Sequence, residues 1–407
     1  MKITSLLLSI LLSISLSHAF AQTGSVTGIV TDSITGQPIA NLTVFISAST
    51  YGTTTNDKGN YTLDHLPPGD YTLTFRHMSY RPCLISLTVE SGKQYVRNLK
   101  VSEMVQQIDE VSVIGKTPDW SWAFDLFKEY FLGDPLEKVC ILENPQDLKF
   151  FYQGDILTAY AKRPLEIVNK YLGYQIIYFL DYFKFSENKN PAKNSTTGYY
   201  YAYAGSTLFQ PLTTKIPLME ADWKFSREAE FKGNLRHFLV SLYQDKLAEN
   251  GYRLRKSYKG LTDLQHKERL SSAMTIINMA GADSTFAWLL DKNESGYFYY
   301  LPTDEYSIPD SLVTIGPLPG EKTACVQDRL LVFKDFKKTG KLSDDRVWTF
   351  GLSGGTIIFD SEGNFRVPDR QLEWANLDHS YRIRVMLPSD YLPVLSNKTG
   401  GQEDKKN

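Results

Sequence analysis

Residues 56–75, NDKGNYTLDHLPPGDYTLTF, decide how the N-terminal part of this chain is read. Either the acidic and amide residues build a metal loop, or they turn the corners of a small sheet. A calcium loop needs several oxygen ligands at close spacing, and NDKGN offers one carboxylate, Asp57, with Lys58 beside it. Gly59 instead supplies a residue that tolerates positive φ at a hairpin corner between runs of alternating polarity. In LPPGDYTL the prolines fix φ and Gly69 closes the turn into the next run. The stretch reads as two corners joining strands.

The same pattern extends outward in both directions. SVTGIVTD alternates Val26, Gly28 and Val30 with Thr27, Ile29 and Thr31, and SITGQPIA supplies Gly and Pro punctuation. NLTVFISA, YTLDHL, YTLTFRHM and LISLTVESG are further runs. Strands recurring every roughly 8–12 residues with such turns predict an antiparallel β-sandwich of about seven strands over residues 25–100.

Ahead of it, MKITSLLLSILLSISLSHAFAQ combines Lys2, an apolar run from Leu6 to Leu16 and a small-x-small end at Ala19 to Ala21. This predicts a secretory signal over residues 1–21, and hence a periplasmic, outer-membrane-associated or cell-surface protein. No later stretch approaches the roughly 20 apolar residues of a membrane-crossing helix. The formal net charge of −2, from 44 Lys and Arg against 46 Asp and Glu, suggests neither nucleic acid nor an acidic membrane surface. Three widely spaced cysteines, Cys83, Cys140 and Cys325, allow one intramolecular disulfide at most.

VTGIVTDSITGQPIANLTVFI, GTTTNDKGNYTL and LPPGDYTLTFRHMSYRP together resemble the carboxypeptidase-regulatory-like (CarboxypepD_reg-like) domain, a prealbumin-like sandwich of exported proteins in Gram-negative bacteria. The resemblance implies a non-catalytic accessory fold, found beside peptidases, glycan-binding proteins and outer-membrane receptors, with no active-site residues to carry over. IDEVSVIGKTP at 108–118 resembles the segment that follows this domain in TonB-dependent receptors of the starch-utilisation type. The chain beyond it is too short for such a receptor, whose barrel of about 22 strands would need about 220 residues in strands alone. The segment is read as a linker strand, with contact to an outer-membrane receptor as a further expectation. As a whole the chain resembles exported proteins described only by their regulatory-like domain, whose C-terminal region has no established activity.

Past the linker the pattern turns α+β with a mainly antiparallel sheet. PDWSWAFDLFKEYFLGDP offers Asp119 as N-cap, Trp120, Phe124, Phe127 and Phe131 on one helical face, and Gly133 and Pro135 as stops. Strand-like runs follow in LKFFYQGDILTAYA, PLEIVNKYLGYQIIYFLDYFKF and GYYYAYAGSTLF. NLRHFLVSLYQDKLAENGYRL reads as a helix with Leu235, Phe238, Leu239 and Leu242 inward, Asn234 capping its start and Gly251 its end. VWTFGLSGGTIIFDSEGNFRV reads as strand, turn, strand, turn, strand. The expected domains are a sandwich at 22–104, a linker strand at 105–117, an α+β domain at 118–393 and a disordered tail at 394–407.

Candidate chemistry is sparse. GLSGG at 351–355 satisfies G-x-S-x-G, but the β-branched TIIFD follows it where a helix is required, so Ser353 is read as part of a Gly-rich hairpin. None of His65, His77, His237, His266 or His379 has the HxxE or HExxH spacing of a zinc peptidase. The cysteines read as small apolar residues. Asp155, Glu166 and Asp181 are ordinary carboxylates of a sheet region. Tyr199, Tyr201 and Tyr203 alternate onto one strand face with Trp223 nearby; exposed, they would stack on sugar, and covered, they would form the sheet's core face. No catalytic residue, metal or cofactor is expected. The chain reads as a non-enzymatic envelope protein that meets a protein or structural polymer, with a carbohydrate-binding module and an unrecognised hydrolase as alternatives.

Overall fold

The computed structural model describes residues 23–104, 118–134, 136–187, 199–232, 234–256, 258–259, 291–293, 296–299, 313–317, 320–326, 330–334, 348–353, 355–363, 365–366, 373–376 and 382–393. The expected signal, linker and tail, and His266 and His379, lie outside them.

The N-terminal unit is a β-sandwich. Its strands are β1 (Gly24–Asp32), β2 (Thr43–Ile46), β3 (Gly52–Thr54), β4 (Asn60–Leu66), β5 (Gly69–His77), β6 (Tyr80–Val89), β7 (Gln94–Val96) and β8 (Leu99–Val101). One sheet runs β4-β1-β7 with β8 also on β1, and the other runs β3-β2-β5-β6. Both corners of the opening stretch are turns: Gly59 has φ +73° and its N–H donates to the Asn56 carbonyl, while the chain bends at Pro67-Pro68 between β4 and β5. The sheet is not purely antiparallel, because β7 and β8 both pair parallel to β1. Between the sheets lies a core of alternating residues including Val26, Val30, Val44, Leu63, Leu73 and Phe75.

The second unit opens with α1 (Trp120–Phe127), which continues as a π-helical turn over Lys128–Leu132. Asp119 Oδ1 accepts from the Trp122 amide at 2.9 Å, and Gly133 ends the helix at φ +75°. Strands β9 (Cys140–Leu142), β10 (Leu148–Gln153), β11 (Ile156–Ala161), β12 (Leu165–Asn169), β13 (Tyr174–Glu187) and β14 (Tyr199–Pro211) form one antiparallel sheet. β13 and β14 make its long hairpin, in register from Tyr174 opposite Pro211 to Glu187 opposite Tyr199. A bulge at Asp181, between the Leu180–Gly205 and Tyr182–Ala204 pairs, interrupts that register. Before the bulge Tyr174, Ile176 and Tyr178 face the core; after it Phe183 and Phe185 do, so one extra residue switches the inward parity.

The inward face packs under the first helix. Phe127 stacks on Phe131 with centroids 4.5 Å apart and meets Phe183 edge-on at 5.0 Å. Two further helices follow, α2 (Pro217–Phe231) and α3 (Leu235–Tyr243). Asn234 caps α3 through the His237 amide, as expected, but the helix ends at Tyr243 and not near Gly251. Asp245 adopts φ +56°, which breaks the helical path, and short turns fill the interval to Gly251.

Toward the C-terminus, Tyr252–Lys256, Leu330–Lys334, Trp348–Ser353 and Glu373–Asn376 pair in that order, while Val313–Ile315, Lys322–Val326, Gly355–Phe359 and Phe365–Arg366 form a separate ladder. Ser353 thus ends one sheet and Gly355 begins the other, which corrects the hairpin expected across GLSGG. Leu235, Phe238, Leu239 and Leu242 pack with Tyr252, Val332, Ile357 and Phe359.

Candidate functional site

The sequence-predicted aromatics lie in the interior of the second unit. Tyr201 and Tyr203 share a strand face, and both are half-buried against the core. Tyr130 lies 5.1 Å from Tyr201 and Phe131 5.0 Å from Tyr203, so the first helix covers these rings. Burial pushes the Tyr203 hydroxyl up to about 12. Trp223 is buried at 7% exposure, its indole N–H donating to the Lys170 carbonyl at 2.9 Å. The side chain of Tyr199 is outside the described residues. These rings do not form an open platform: Tyr201 and Tyr203 lie beneath α1, and Trp223 belongs to a different contact, the packing of α2 on the β12–β13 turn. There, Arg227 holds the carbonyls of Leu172 and Gly173 and covers the Tyr174 ring at 4.2 Å.

The other candidates are likewise built into structure. His237 is buried, with Nδ1 2.8 Å from the Tyr252 hydroxyl. Cys83, Cys140 and Cys325 are all free thiols, and burial first of all drives that of Cys140 up to about 12. Among the described residues no three His, Cys, Asp or Glu side chains gather to hold a metal ion. Of the three sheet carboxylates singled out, Asp181 has a specific partner, and that partner comes from the sandwich.

That contact belongs to an organised site among the described residues, the junction of the two units. The sandwich loop after β2 carries Ala48 in the left-handed region, φ +59°, a conformation that costs a non-glycine residue energy and calls for surrounding contacts to hold it. Those contacts come from the outer edge of β14. The Ala48 amide donates to the Thr207 carbonyl at 2.7 Å, and the Phe209 amide donates to the Ser49 carbonyl at 2.9 Å. Ser49 and Leu208 thereby form a parallel bridge, one step of strand addition across the unit boundary. The Thr50 amide and hydroxyl both donate to the Asp390 carboxylate.

Beside the bridge, Phe45 stacks on Phe179 at 5.3 Å and 15°. Arg76 lies over the same Phe179 ring, donates to Ser206 Oγ at 3.1 Å and pairs with Asp181. The β-bulge is what presents Asp181 to it: the extra residue leaves the ladder and its side chain is re-aimed at the margin of the sheet. Missed in the sequence, this junction depends on residues up to 340 positions apart and on a bulge with no local signature.

Residues 26–113 match the model of the CarboxypepD_reg-like domain, and the N-terminal sandwich is a domain of that kind. It is a regulatory, non-catalytic type of domain. No curated protein matches the chain. Among solved structures, a cohesin–X-dockerin complex from Acetivibrio cellulolyticus is 21% identical over 20% of this chain and 56% of its own, with a TM-score of 0.17. This chain thus spans little more than half of that one. A putative carbohydrate-binding protein from Bacteroides uniformis is 12% identical over 47% of this chain and 100% of its own, TM-score 0.17. A putative membrane-associated protein of unknown function from Bacteroides fragilis is 10% identical over 87% and 95%, TM-score 0.16.

Proposed function

We propose that this chain is a non-enzymatic, exported cell-envelope protein in which the sandwich is an accessory module braced against a second, interaction-bearing unit. The observation that carries this reading is the junction: strand addition at Ser49–Leu208, the Phe45–Phe179 stack and the Arg76–Asp181 pair join an accessory domain to the sheet of its neighbour. Among the described residues, His237 and Cys140 are buried in packing and Asp181 is paired with Arg76 at this contact. No described helix is long and apolar enough to cross a membrane, and the N-terminal segment reads as an export signal. The partner is an envelope protein or polymer.

Crosslinking in intact cells with a C-terminally tagged chain tests the reading. Reproducible recovery of one envelope component, lost when residues 108–118 are deleted, is the expected result. Recovery of the chain alone, together with hydrolytic activity of the purified protein, would contradict it.

A further inference from the structure

The second sheet has another face, and it is built differently from the covered one. Phe150, Ala159 and Phe183 belong to the core, so by strand alternation Lys149, Phe151, Thr158, Tyr160, Tyr182 and Lys184 stand on the opposite side. Pairing aligns Phe151, Thr158 and Lys184 across β10, β11 and β13, with Lys149 directly opposite Tyr160. The bulge at Asp181 is what brings Tyr182 and Lys184 onto this face. Tyr160 is 45% and Tyr182 39% exposed, unlike the rings beneath the first helix. Phe151 meets Tyr160 edge-on at 6.0 Å, and Lys184 Nζ lies 5.4 Å from the Tyr182 ring centre.

Two further observations point to a ligand and to its charge. Between Phe151 and Lys184 lies Thr158, 7% exposed, whose Oγ1 is buried with no hydrogen-bond partner among the described residues. An orphaned buried hydroxyl costs about 1–3 kcal/mol, a cost that a polar group supplied at this face would relieve. The six residues include two lysines and no carboxylate, while Asp181 at the margin is already paired with Arg76. Exposed tyrosines offer flat apolar faces with a polar edge, the chemistry that receives the C–H face of a sugar ring. Phe45 and Arg76 pack on Phe179, which alternates onto this same face, so the sandwich closes one end of it.

We propose that this face binds an acidic polysaccharide, with sugar rings on Tyr160 and Tyr182 and the polymer's carboxylate or sulfate groups paired with Lys149 and Lys184. The site deepens the envelope-interaction reading and rests on it, naming a polymer as the partner of the second unit.

The test is affinity electrophoresis of the purified full chain through gels holding polygalacturonate, alginate or chondroitin sulfate, with neutral dextran and duplex DNA as comparison gels. Retardation in at least one acidic polysaccharide and none in dextran is expected. Losing two stacking rings in a Tyr160→Ala/Tyr182→Ala chain should weaken binding by about tenfold or more. A Lys149→Ala/Lys184→Ala chain should lose the salt dependence. These are surface positions, and an unchanged unfolding midpoint separates lost binding from lost folding. No retardation in any acidic polysaccharide, or retardation that both double variants retain, would overturn the proposal. Equal retardation by DNA that survives the tyrosine substitutions would overturn it too, since bare charge would then be responsible. A crosslinked envelope protein recovered alongside any of these failures leaves the envelope reading standing and removes only the polysaccharide.

Discussion

Asp134 illustrates how single residues of this chain are committed to holding backbone. At the end of the first helix its Oδ2 accepts from the amides of Val139 at 2.7 Å and Cys140 at 2.9 Å. Burial alone would raise its carboxyl, but these amides, that of Lys138 and the Arg384 charge outweigh it and hold the group below 3.8. A depressed carboxyl contributes stability that is complete above the unfolded value and is lost as pH falls through the lower, folded one. Asp134→Asn should therefore destabilise the protein by about 1–3 kcal/mol at pH 6, since a neutral amide oxygen accepts the two N–H groups less strongly than a charged carboxylate does. The gap between variant and parent should narrow as pH drops below about 4. Urea unfolding at a series of pH values checks this, and a gap that stays constant with pH would contradict the assignment. At this scale the caps were legible in the sequence: Asp119, Asn234 and Gly133 lie where local chemistry places them. Asp134 was not, because the amides it binds come from a turn whose path only the tertiary fold sets.

Among the elements, the first helix determines what the sheet's inward face can do. Its π-turn, closed by the Gly133 amide on the Lys128 carbonyl, places Tyr130 and Phe131 over Tyr178, Tyr201, Tyr203 and Phe185. Phe131 is fully buried, so Phe131→Ala should cost about 3–5 kcal/mol in urea unfolding. A cost under about 1 kcal/mol would mean that the helix is not the lid of this face. Tyr201 and Tyr203 share one side of a strand, as their alternation predicts, and nothing in that spacing says which side a helix covers. The exposed pair, Tyr160 and Tyr182, escaped the same reasoning. YQIIYFLDYFKF is almost continuously apolar, and the bulge at Asp181 changes its phase without a glycine or proline to mark it. The α2 helix was hidden for a related reason. Leu218 and Phe225 point to solvent at 72% and 74% exposure, which blurs the inward row of Trp223, Arg227, Glu230 and Phe231.

For the molecule as a whole, the sandwich was legible because turn chemistry and period-two alternation are local, whereas its attachment to the second sheet was not. That attachment joins Ala48, Ser49 and Thr50 to Thr207, Phe209 and Asp390, across most of the chain. The central claim is that the accessory domain acts as part of a joined unit, and amide hydrogen exchange tests it most directly. In the intact protein the Ala48 and Phe209 amides should exchange slowly and together, since each closes the same bridge. Replacing Asp390 with Ala removes the Thr50 anchor on the far side of that loop and should accelerate exchange at both amides while leaving the core of β5 unchanged. Fast exchange at Phe209 in the parent protein, or a Phe209 amide indifferent to Asp390→Ala, would contradict the account and make the sandwich an independently tethered domain.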